Sequence, residues 1–286
     1  MEQIIFNGLV LSASYAVIAL GITLIFSIMN ILNFAHGQMF MIGGFVTYYV
    51  YGRYHLPFVA ALLAAMLAVG AIGILFDLVF FRRMRKSSSR EENSILLAVG
   101  TSLLLENVAL FAFGEKERGV PDVVDGVIRL GDAFLPTGRI LILGISLLLV
   151  VGLLVFVHTT RTGRAMRAVA QDREVTLLMG VDVDRISMIG FGIGAGLAGL
   201  AGALLVTISG VNAGMGTLVT TKAFIMIMIG GAGVVAGSLL GAVVLGFAEA
   251  IGYALLPGSL TYLMIFLALI VFLIVRPQGI MGKPWG

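Results

Sequence analysis

The chain has 286 residues, of which 59% are apolar and 12% charged, with a formal net charge of +3 and a mean hydropathy of +1.09. Soluble domains are about half apolar and a quarter charged, so this composition excludes an ordinary soluble protein and indicates that lipid solvates much of the chain. The absence of cysteine excludes disulfides, thiol nucleophiles and cysteine metal sites.

Long uncharged windows predict transmembrane helices, since about 20 apolar residues cross the roughly 30 Å hydrocarbon core. The strand-like alternation of a transmembrane barrel is absent. We therefore predict an all-α integral membrane protein, a polytopic helical bundle of about eight to nine spans with broken or short helices. The predicted spans are about 4–28, 35–52, 57–80, 93–113, 139–157, 186–209, 214–231, 235–255 and 259–275.

The first uncharged window, 3–52, is too long for one span, because a single helix over it would be roughly 70 Å long. The chain must turn near 30–37, where Asn33 and His36 supply polar groups. One interpretation is a polar turn at a membrane face. The other is a broken helix that lines a path, since non-helical backbone at membrane depth survives only against protein or a water-filled cavity. The second makes Asn33 and His36 candidate translocation residues.

The distribution of basic residues predicts the orientation, because cytoplasmic loops are rich in Lys and Arg. The loop 82–92 and the segment 161–185 each carry five basic residues and are placed inside, whereas the acidic loop 114–138 is placed outside. The N-terminus is then outside. The tail from Arg276 is inside if two crossings fit between 214 and 255 with a turn in 230–238, which we favour over one span covering 222–254.

Two carboxylates, Glu106 and Glu249, lie in apolar segments, where a charge is expensive by at least about 2.5 kcal/mol. They serve either the translocation path and its gating or a structural hydrogen bond to a neighbouring helix. Lys222 lies nearer a span end, where snorkelling to the interface explains it. The glycines of 194–199 match a dinucleotide fingerprint only formally, because no strand precedes them, and they favour close helix packing instead.

Catalytic patterns are missing from the sequence. Its three histidines have no metal-ligand spacing, and no phosphate-binding loop occurs. We therefore expect no catalytic or metal site and no ATP hydrolysis by this chain itself. Basic residues beside apolar segments also fit cytoplasmic loops better than nucleic-acid binding.

The charged segment 161–185 separates two uncharged stretches. Thr162 is the expected helix cap and Gly180 the expected helix end. The apolar residues expected on one face are Met166, Val169, Ala170 and Leu177. This amphipathic helix either lies at the membrane interface or docks a cytoplasmic partner, and the residues alone favour neither.

Four segments carry a resemblance to a known family. The chain is similar to the permease subunits of branched-chain amino acid ABC importers, the LivH-like family, in "NFAHGQMFMIGGF", "RTGRAMRAVAQDREVTLLMGVDVDRI", "KAFIMIMIGGAGVVAGSLLGAVVLGFAEA" and "RPQGIMG". The segments occur in order, and the resemblance covers nearly the whole chain.

The resemblance implies a single permease domain over 1–286 in the cytoplasmic (inner) membrane of a bacterium or archaeon. The implied partners are a second permease subunit (a related chain or a second copy), two ATP-binding subunits and a periplasmic or lipid-anchored binding protein, besides membrane lipid. ATP and Mg²⁺ would be used by those partners, so this chain needs no cofactor. The loop 114–138 would be extracytoplasmic.

The segment 161–185 corresponds to the cytoplasmic loop of the family that touches the ATPase. It departs from the E-A-A…G pattern of other importer permeases, so its contacts are not carried over one by one. The candidate coupling residues are Arg161, Arg164, Arg167, Asp172, Glu174 and Gly180.

The expected function is movement of branched-chain amino acids driven by ATP hydrolysed in separate subunits. An ion-coupled secondary transporter of small polar or amphipathic solutes is the alternative, but it needs a coupling-ion site and usually an internal repeat, and no clear repeat is visible. A channel would need a filter sequence, and none is apparent.

Overall fold

The computed structural model of the protein describes residues 1–84, 90–131 and 133–282. Its helices are α1 (Glu2–Met29), α2 (His36–Thr47), α3 (Phe58–Phe76), α4 (Arg82–Met84), α5 (Arg90–Phe113), α6 (Thr137–Thr159), α7 (Arg161–Gln171), α8 (Arg173–Leu178), α9 (Val183–Ser209), α10 (Met215–Gly230), α11 (Val235–Leu255) and α12 (Gly258–Val275). Helices α2 and α3 continue as π-helical turns over Tyr48–Arg53 and Asp77–Phe81. Strands β1 (Val127–Leu130) and β2 (Ala133–Pro136) pair antiparallel as a hairpin.

The prediction of an all-α polytopic membrane protein is confirmed. Within the described residues, seven helices are long and apolar enough to span a membrane, and α10 is a shorter apolar helix. Helix α2 is shorter still, so the two short helices account for the rest of the predicted spans. The hairpin within 114–138 is a feature that the sequence analysis did not foresee.

Helices α1 and α9 form the centre of the bundle and are mostly buried, whereas only a small part of α5, α6 and α12 is buried. The two central helices cross antiparallel, with Gly190 against Ile28 and Gly194 against Gly21. A Cβ atom on Gly194 would lie only 2.7 Å from the carbonyl oxygen of Gly21. Glycine therefore permits this close backbone approach, as the packing interpretation predicted.

The fold contains two units with the same arrangement of elements. In each, a long helix (α1 or α9) is followed by a short non-helical segment, a short helix (α2 or α10) and a long helix (α3 or α11). Helix α1 packs on α11, α3 packs on α9, and α2 contacts α10. Because α1 and α9 are antiparallel, the units form an inverted repeat, which the sequence analysis missed.

One end of the bundle, the hairpin end, carries the N-terminus and the loop 114–138. The backbone N–H of Phe134 donates to Gln3 Oε1 (2.9 Å). Arg118 and Val211 exchange two backbone hydrogen bonds of 2.9 Å, which ties the loop to the start of the 210–214 segment. The N-terminus and this loop therefore share one side, as the orientation argument requires.

The opposite end, the α7 end, carries the basic segments. Asp184 lies 3.8 Å from Arg82 and 3.7 Å from Arg173, so the ends of α3, α8 and α9 meet there. In the loop 82–92, residues 85–89 lie outside the described residues, as do Asp132 and the tail residues 283–286. The expected common side of the loop and the segment 161–185 is confirmed for the described part.

The C-terminal tail also lies at the α7 end. The N–H groups of Ile280 and Met281 donate to the last carbonyl groups of α10, those of Ile229 (2.8 Å) and Gly230 (3.0 Å). Helices α10 and α11 are separate and turn at 231–234. The two-crossing interpretation is thus confirmed, and a single span over 222–254 is wrong.

Candidate translocation site and coupling surface

The non-helical segment between α1 and α2 runs from the exposed Asn30 to the buried Asn33 and His36. Asn30 adopts the left-handed conformation with φ of 53°, and Asn33 Oδ1 accepts a hydrogen bond from the Ala35 N–H (3.1 Å). Asn33 and His36 are buried, and His36 Nε2 lies 3.3 Å from the carbonyl oxygen of Ile18, in the middle of α1. The polar groups therefore complete a broken helix within the bundle rather than a turn at a membrane face. Their place on a translocation path stays a prediction.

The first turns of α2 and α10 pack directly against each other. The Gly37 N–H donates to Thr220 Oγ1 (3.0 Å), and Thr220 Oγ1 lies 3.2 Å from the carbonyl oxygen of Phe34. A Cβ atom on Gly37 would collide with the carbonyl oxygen of Gly216. Because helix N-termini carry a partial positive charge, two positive ends meet at this point.

A polar group of four residues lies at this meeting point, and we name it the junction cluster: Gln38, Ser102, Glu106 and Thr217. Glu106 Oε2 accepts hydrogen bonds from Gln38 Nε2 (3.1 Å) and Thr217 Oγ1 (2.9 Å). Gln38 and Thr217 are the third residues of α2 and α10. Gln38 is fully buried, Glu106 is half-buried and Thr217 is exposed. The cluster is therefore accessible from the surface of the protein.

A second group, the ion-pair cluster, comprises Tyr15, Lys222 and Glu249. Lys222 Nζ lies 2.9 Å and 3.1 Å from the two carboxylate oxygens of Glu249, and the Tyr15 hydroxyl donates to Glu249 Oε2 (2.5 Å). Glu249 is 1% exposed. The snorkelling expected of Lys222 is therefore wrong, because a buried carboxylate requires a cation beside it.

The segment 161–185 contains two helices where one was expected. Thr160, not Thr162, caps α7, since its Oγ1 accepts from the Gly163 N–H (2.9 Å). Asp172 Oδ1 accepts from the N–H groups of Glu174 (2.9 Å) and Val175 (3.0 Å), so Asp172 ends α7 and caps α8. Gly180 follows α8 with φ of 82°, close to the predicted helix end.

The break at Asp172 also changes which residues share a face. Met166 and Val169 are buried against the bundle as predicted, but Ala170 and Leu177 are exposed. Arg164 donates to the carbonyl oxygen of Thr159 (3.2 Å) and Arg167 to that of His158 (3.4 Å). These arginines therefore satisfy carbonyl groups at the C-terminus of α6, a role that the sequence did not indicate.

The segment 161–185 also has an exposed apolar patch at α8, which we name the α8 patch. Its members and their exposed fractions are Val175 (54%), Leu177 (61%), Leu178 (84%) and Met179 (78%). Of these residues only Leu177 was predicted on an apolar face, although the apolar run 177–179 inside a charged segment is a usable signal. Contiguous exposed apolar residues of this kind mark interaction sites.

The described residues contain no group of three His, Cys, Asp or Glu side chains that could hold a metal ion. The carboxylates of Glu106 and Glu249 are instead surrounded by amide, hydroxyl and ammonium groups. The geometry around both carboxylates is that of hydrogen-bonded contacts between helices.

Comparison with known proteins identifies the class. A family model described as the permease component of branched-chain amino acid transport systems matches residues 4–275. The chain belongs to this family of membrane permeases, and it is a multi-pass membrane protein.

Several relatives match over nearly their full length. The high-affinity branched-chain amino acid transport system permease protein BraD of Pseudomonas aeruginosa is 33% identical, with 99% of this chain and 96% of BraD covered. The corresponding LivH protein of Escherichia coli K12 is 32% identical over the same shares. A probable LivH of Methanocaldococcus jannaschii is 25% identical, with 99% and 94% covered.

Proposed function

We propose that this chain is the permease subunit of an ABC importer that moves branched-chain aliphatic amino acids across the cytoplasmic membrane. Its near-complete similarity to permeases of that transport system, over residues 4–275, carries the proposal. The inverted repeat removes the sequence argument against a secondary transporter, so the family membership now decides between the two. ATP with Mg²⁺ would be used in separate subunits, and this chain would have no catalytic site of its own.

Two ATP-binding subunits would dock at the α7 end, on the segment 161–185. The exposed α8 patch would supply an apolar surface for that contact, and Arg161 and Glu174 are exposed charges of the same segment. Arg164, Arg167, Asp172 and Gly180 would act mainly by shaping the segment, through the helix caps and the turn that they form. This fixed geometry suits a lever that passes motion from the ATPase to the spans.

The remaining partners would occupy the other surfaces of the bundle. A second permease subunit, related or identical, would cover part of the exposed apolar surface of the outer helices. A periplasmic or lipid-anchored binding protein would deliver the amino acid at the hairpin end, where the loop 114–138 lies. The rest of the apolar surface would face lipid.

The translocation path would pass the meeting point of α2 and α10. Short helices that start within the bundle expose polar groups at membrane depth, a device that transporters use to bind charged substrate groups. Glu106 would face the path, with Asn33 and His36 holding the broken helix beneath it. Glu249 would act more remotely, by fixing α10 against α1 and α11.

Reconstitution tests the function. The chain is assembled in liposomes with its candidate ATP-binding subunits and second permease, and leucine uptake is measured with ATP inside and leucine-loaded binding protein outside. We expect uptake and ATP hydrolysis to require the loaded binding protein. Leucine uptake driven by an ion gradient without the ATP-binding subunits would instead establish the secondary transporter.

The docking surface has its own test. Serine at Leu177, Leu178 and Met179 together should abolish co-purification of the ATP-binding subunits, because the patch would lose its apolar contact area. The matched control is Val127→Ser on the hairpin, where the side chain is 61% exposed at the opposite end. Unchanged co-purification of the triple variant would refute the assignment of the α8 patch.

A further inference from the structure

Glu106 and Glu249 differ in how their charge is balanced. Glu249 is paired with Lys222, whereas Glu106 has no Lys, Arg or His partner within ion-pair distance among the described residues. The partners of Glu106 are the neutral side chains of Gln38 and Thr217. Glu106 is thus a carboxylate in a membrane-spanning segment that no cationic side chain of the described residues balances.

The junction cluster has more hydrogen-bond acceptors than donors. Gln38 Nε2 has two protons but lies within 3.4 Å of three oxygen atoms, those of Glu106 (3.1 Å), Ser102 (3.4 Å) and Thr217 (3.4 Å). Glu106 Oε1 accepts no hydrogen bond from the described residues. The group therefore has room for a further donor, and a carboxylate favours one that is positively charged.

Two helix N-termini, those of α2 and α10, lie beside Glu106. Glu106 contacts the third residues of α2 and α10, and the partial positive charge of two helix N-termini stabilises a negative group there. Since an unpaired charge at membrane depth is expensive, we look for the complementary cation outside the described part of the chain.

Exposed leucines neighbour the cluster in sequence. Leu103, one turn before Glu106 on α5, is 57% exposed, and Leu218, next to Thr217, is 47% exposed. A ligand that places an ammonium group at Glu106 would therefore lay an aliphatic side chain on these leucines. Leucine side chains offer no ligand atoms or hydrogen-bond acceptors to a hydrated metal ion.

We propose that Glu106 binds the α-ammonium group of the transported amino acid, with the hydroxyl oxygens of Ser102 and Thr217 as further acceptors. This proposal rests on the proposed function and assigns a recognition role to one part of the path. It predicts selection against analogues in which a hydroxyl group replaces the ammonium group.

The absence of cysteine in the natural chain allows a local reporter. Thr221 lies one turn beyond Thr217 on the same face of α10, with its Oγ1 donating to the Thr217 carbonyl oxygen (2.9 Å), and it is half-buried. In the assembled transporter carrying Thr221→Cys, maleimide labelling of this chain is followed by mass spectrometry without binding protein. Leucine or 2-hydroxy-4-methylpentanoate is added at increasing concentration.

We expect leucine to protect the cysteine at a concentration about tenfold or more below that of the hydroxy acid, because an ammonium–carboxylate contact is lost in the latter. Adding Glu106→Gln should remove this preference, and Glu106→Asp should keep part of it. The control is Glu115→Gln, an exposed acid of the loop 114–138, which should leave the preference intact.

The possible outcomes separate the two proposals. Equal protection by both ligands, no protection by leucine, or a preference that survives Glu106→Gln would each overturn the ammonium site. Dissociation of the two permease subunits by Glu106→Gln would also overturn it, since Glu106 would then pair with the partner. Failure of the proposed function shows separately, as absence of ATP-driven leucine uptake by the unaltered transporter.

Discussion

The junction cluster and the ion-pair cluster solve the same physical problem in opposite ways. Each places one carboxylate among transmembrane helices, and each involves α10, through Thr217 in the first and Lys222 in the second. The ion-pair cluster is closed, because Glu249 is buried with its cation and a tyrosine hydroxyl. The junction cluster is open, because Glu106 is half-buried among neutral groups. The closed cluster therefore stabilises the packing of the helices, and the open one is accessible to a ligand.

Helix α10 connects the two clusters to the α7 end. Its first turn contacts α2, its middle holds Lys222, and its last carbonyl groups accept hydrogen bonds from the C-terminal tail. A displacement of α10 would therefore alter the open cluster while the ion pair keeps the helix attached to α1 and α11. Substitutions that affect one cluster and spare the other test this division.

The largest expected effect belongs to the ion pair. Glu249→Leu leaves the Lys222 ammonium without a carboxylate in a buried position, and breaking such a pair destabilises by about 3–5 kcal/mol. We expect the lowest midpoint of thermal denaturation in detergent among the variants considered, together with poor expression.

The matched control replaces both partners. Lys222→Met combined with Glu249→Leu removes the unpaired charge, and replacing a whole buried pair by apolar residues is often neutral. The double variant should recover most of the lost stability. If it denatured as early as Glu249→Leu alone, charge compensation would not be the role of this pair.

The next effect concerns the contact between α2 and α10. Gly37→Ala would place a methyl group into the carbonyl oxygen of Gly216, and overpacking of this kind costs about 1–3 kcal/mol. Gly144→Ala on α6 is the control, because a Cβ there meets no atom within 4 Å. Equal denaturation midpoints for the two variants would contradict the close packing of the first turns.

The sequence predicted the spans and the interruption of the helix at 30–37, because apolar windows and polar interruptions are local properties. It placed Glu106 and Glu249 among the candidates for the same reason. It did not reveal that Lys222 neutralises Glu249, since 27 residues and a change of helix separate them. The inverted repeat was also invisible, because many different apolar sequences satisfy the same helix arrangement.

The segment 161–185 shows a different limit. Its amphipathic pattern indicated one helix, but Asp is disfavoured inside a helix and favoured as an N-cap, and Asp172 caps a second helix here. Arg164 and Arg167, which were predicted as coupling residues, also donate to carbonyl groups at the C-terminus of α6. Charge patterns identify the segment, but they do not show which side chains are left for a partner.

A smaller effect is expected from Tyr15→Phe. The change removes the hydroxyl group that donates to Glu249 and accepts from Lys222, but it leaves the ion pair, so we expect a loss of about 1–2 kcal/mol. Tyr54→Phe, at an exposed position, is the control. A loss as large as that of Glu249→Leu would mean that the tyrosine, and not the lysine, balances the carboxylate.

The smallest effect on stability is expected from Glu106→Gln, below about 1 kcal/mol, because no cation of the described chain is left unpaired and the amide oxygen can still accept from Thr217. The same change should remove the preference for leucine over its hydroxy analogue in the labelling experiment. The comparison with Glu249→Leu is then complete: one carboxylate matters for folding and the other for its ligand. A denaturation midpoint for Glu106→Gln as low as that of Glu249→Leu would show that Glu106 is a structural group, with a counter-charge supplied by the assembled protein.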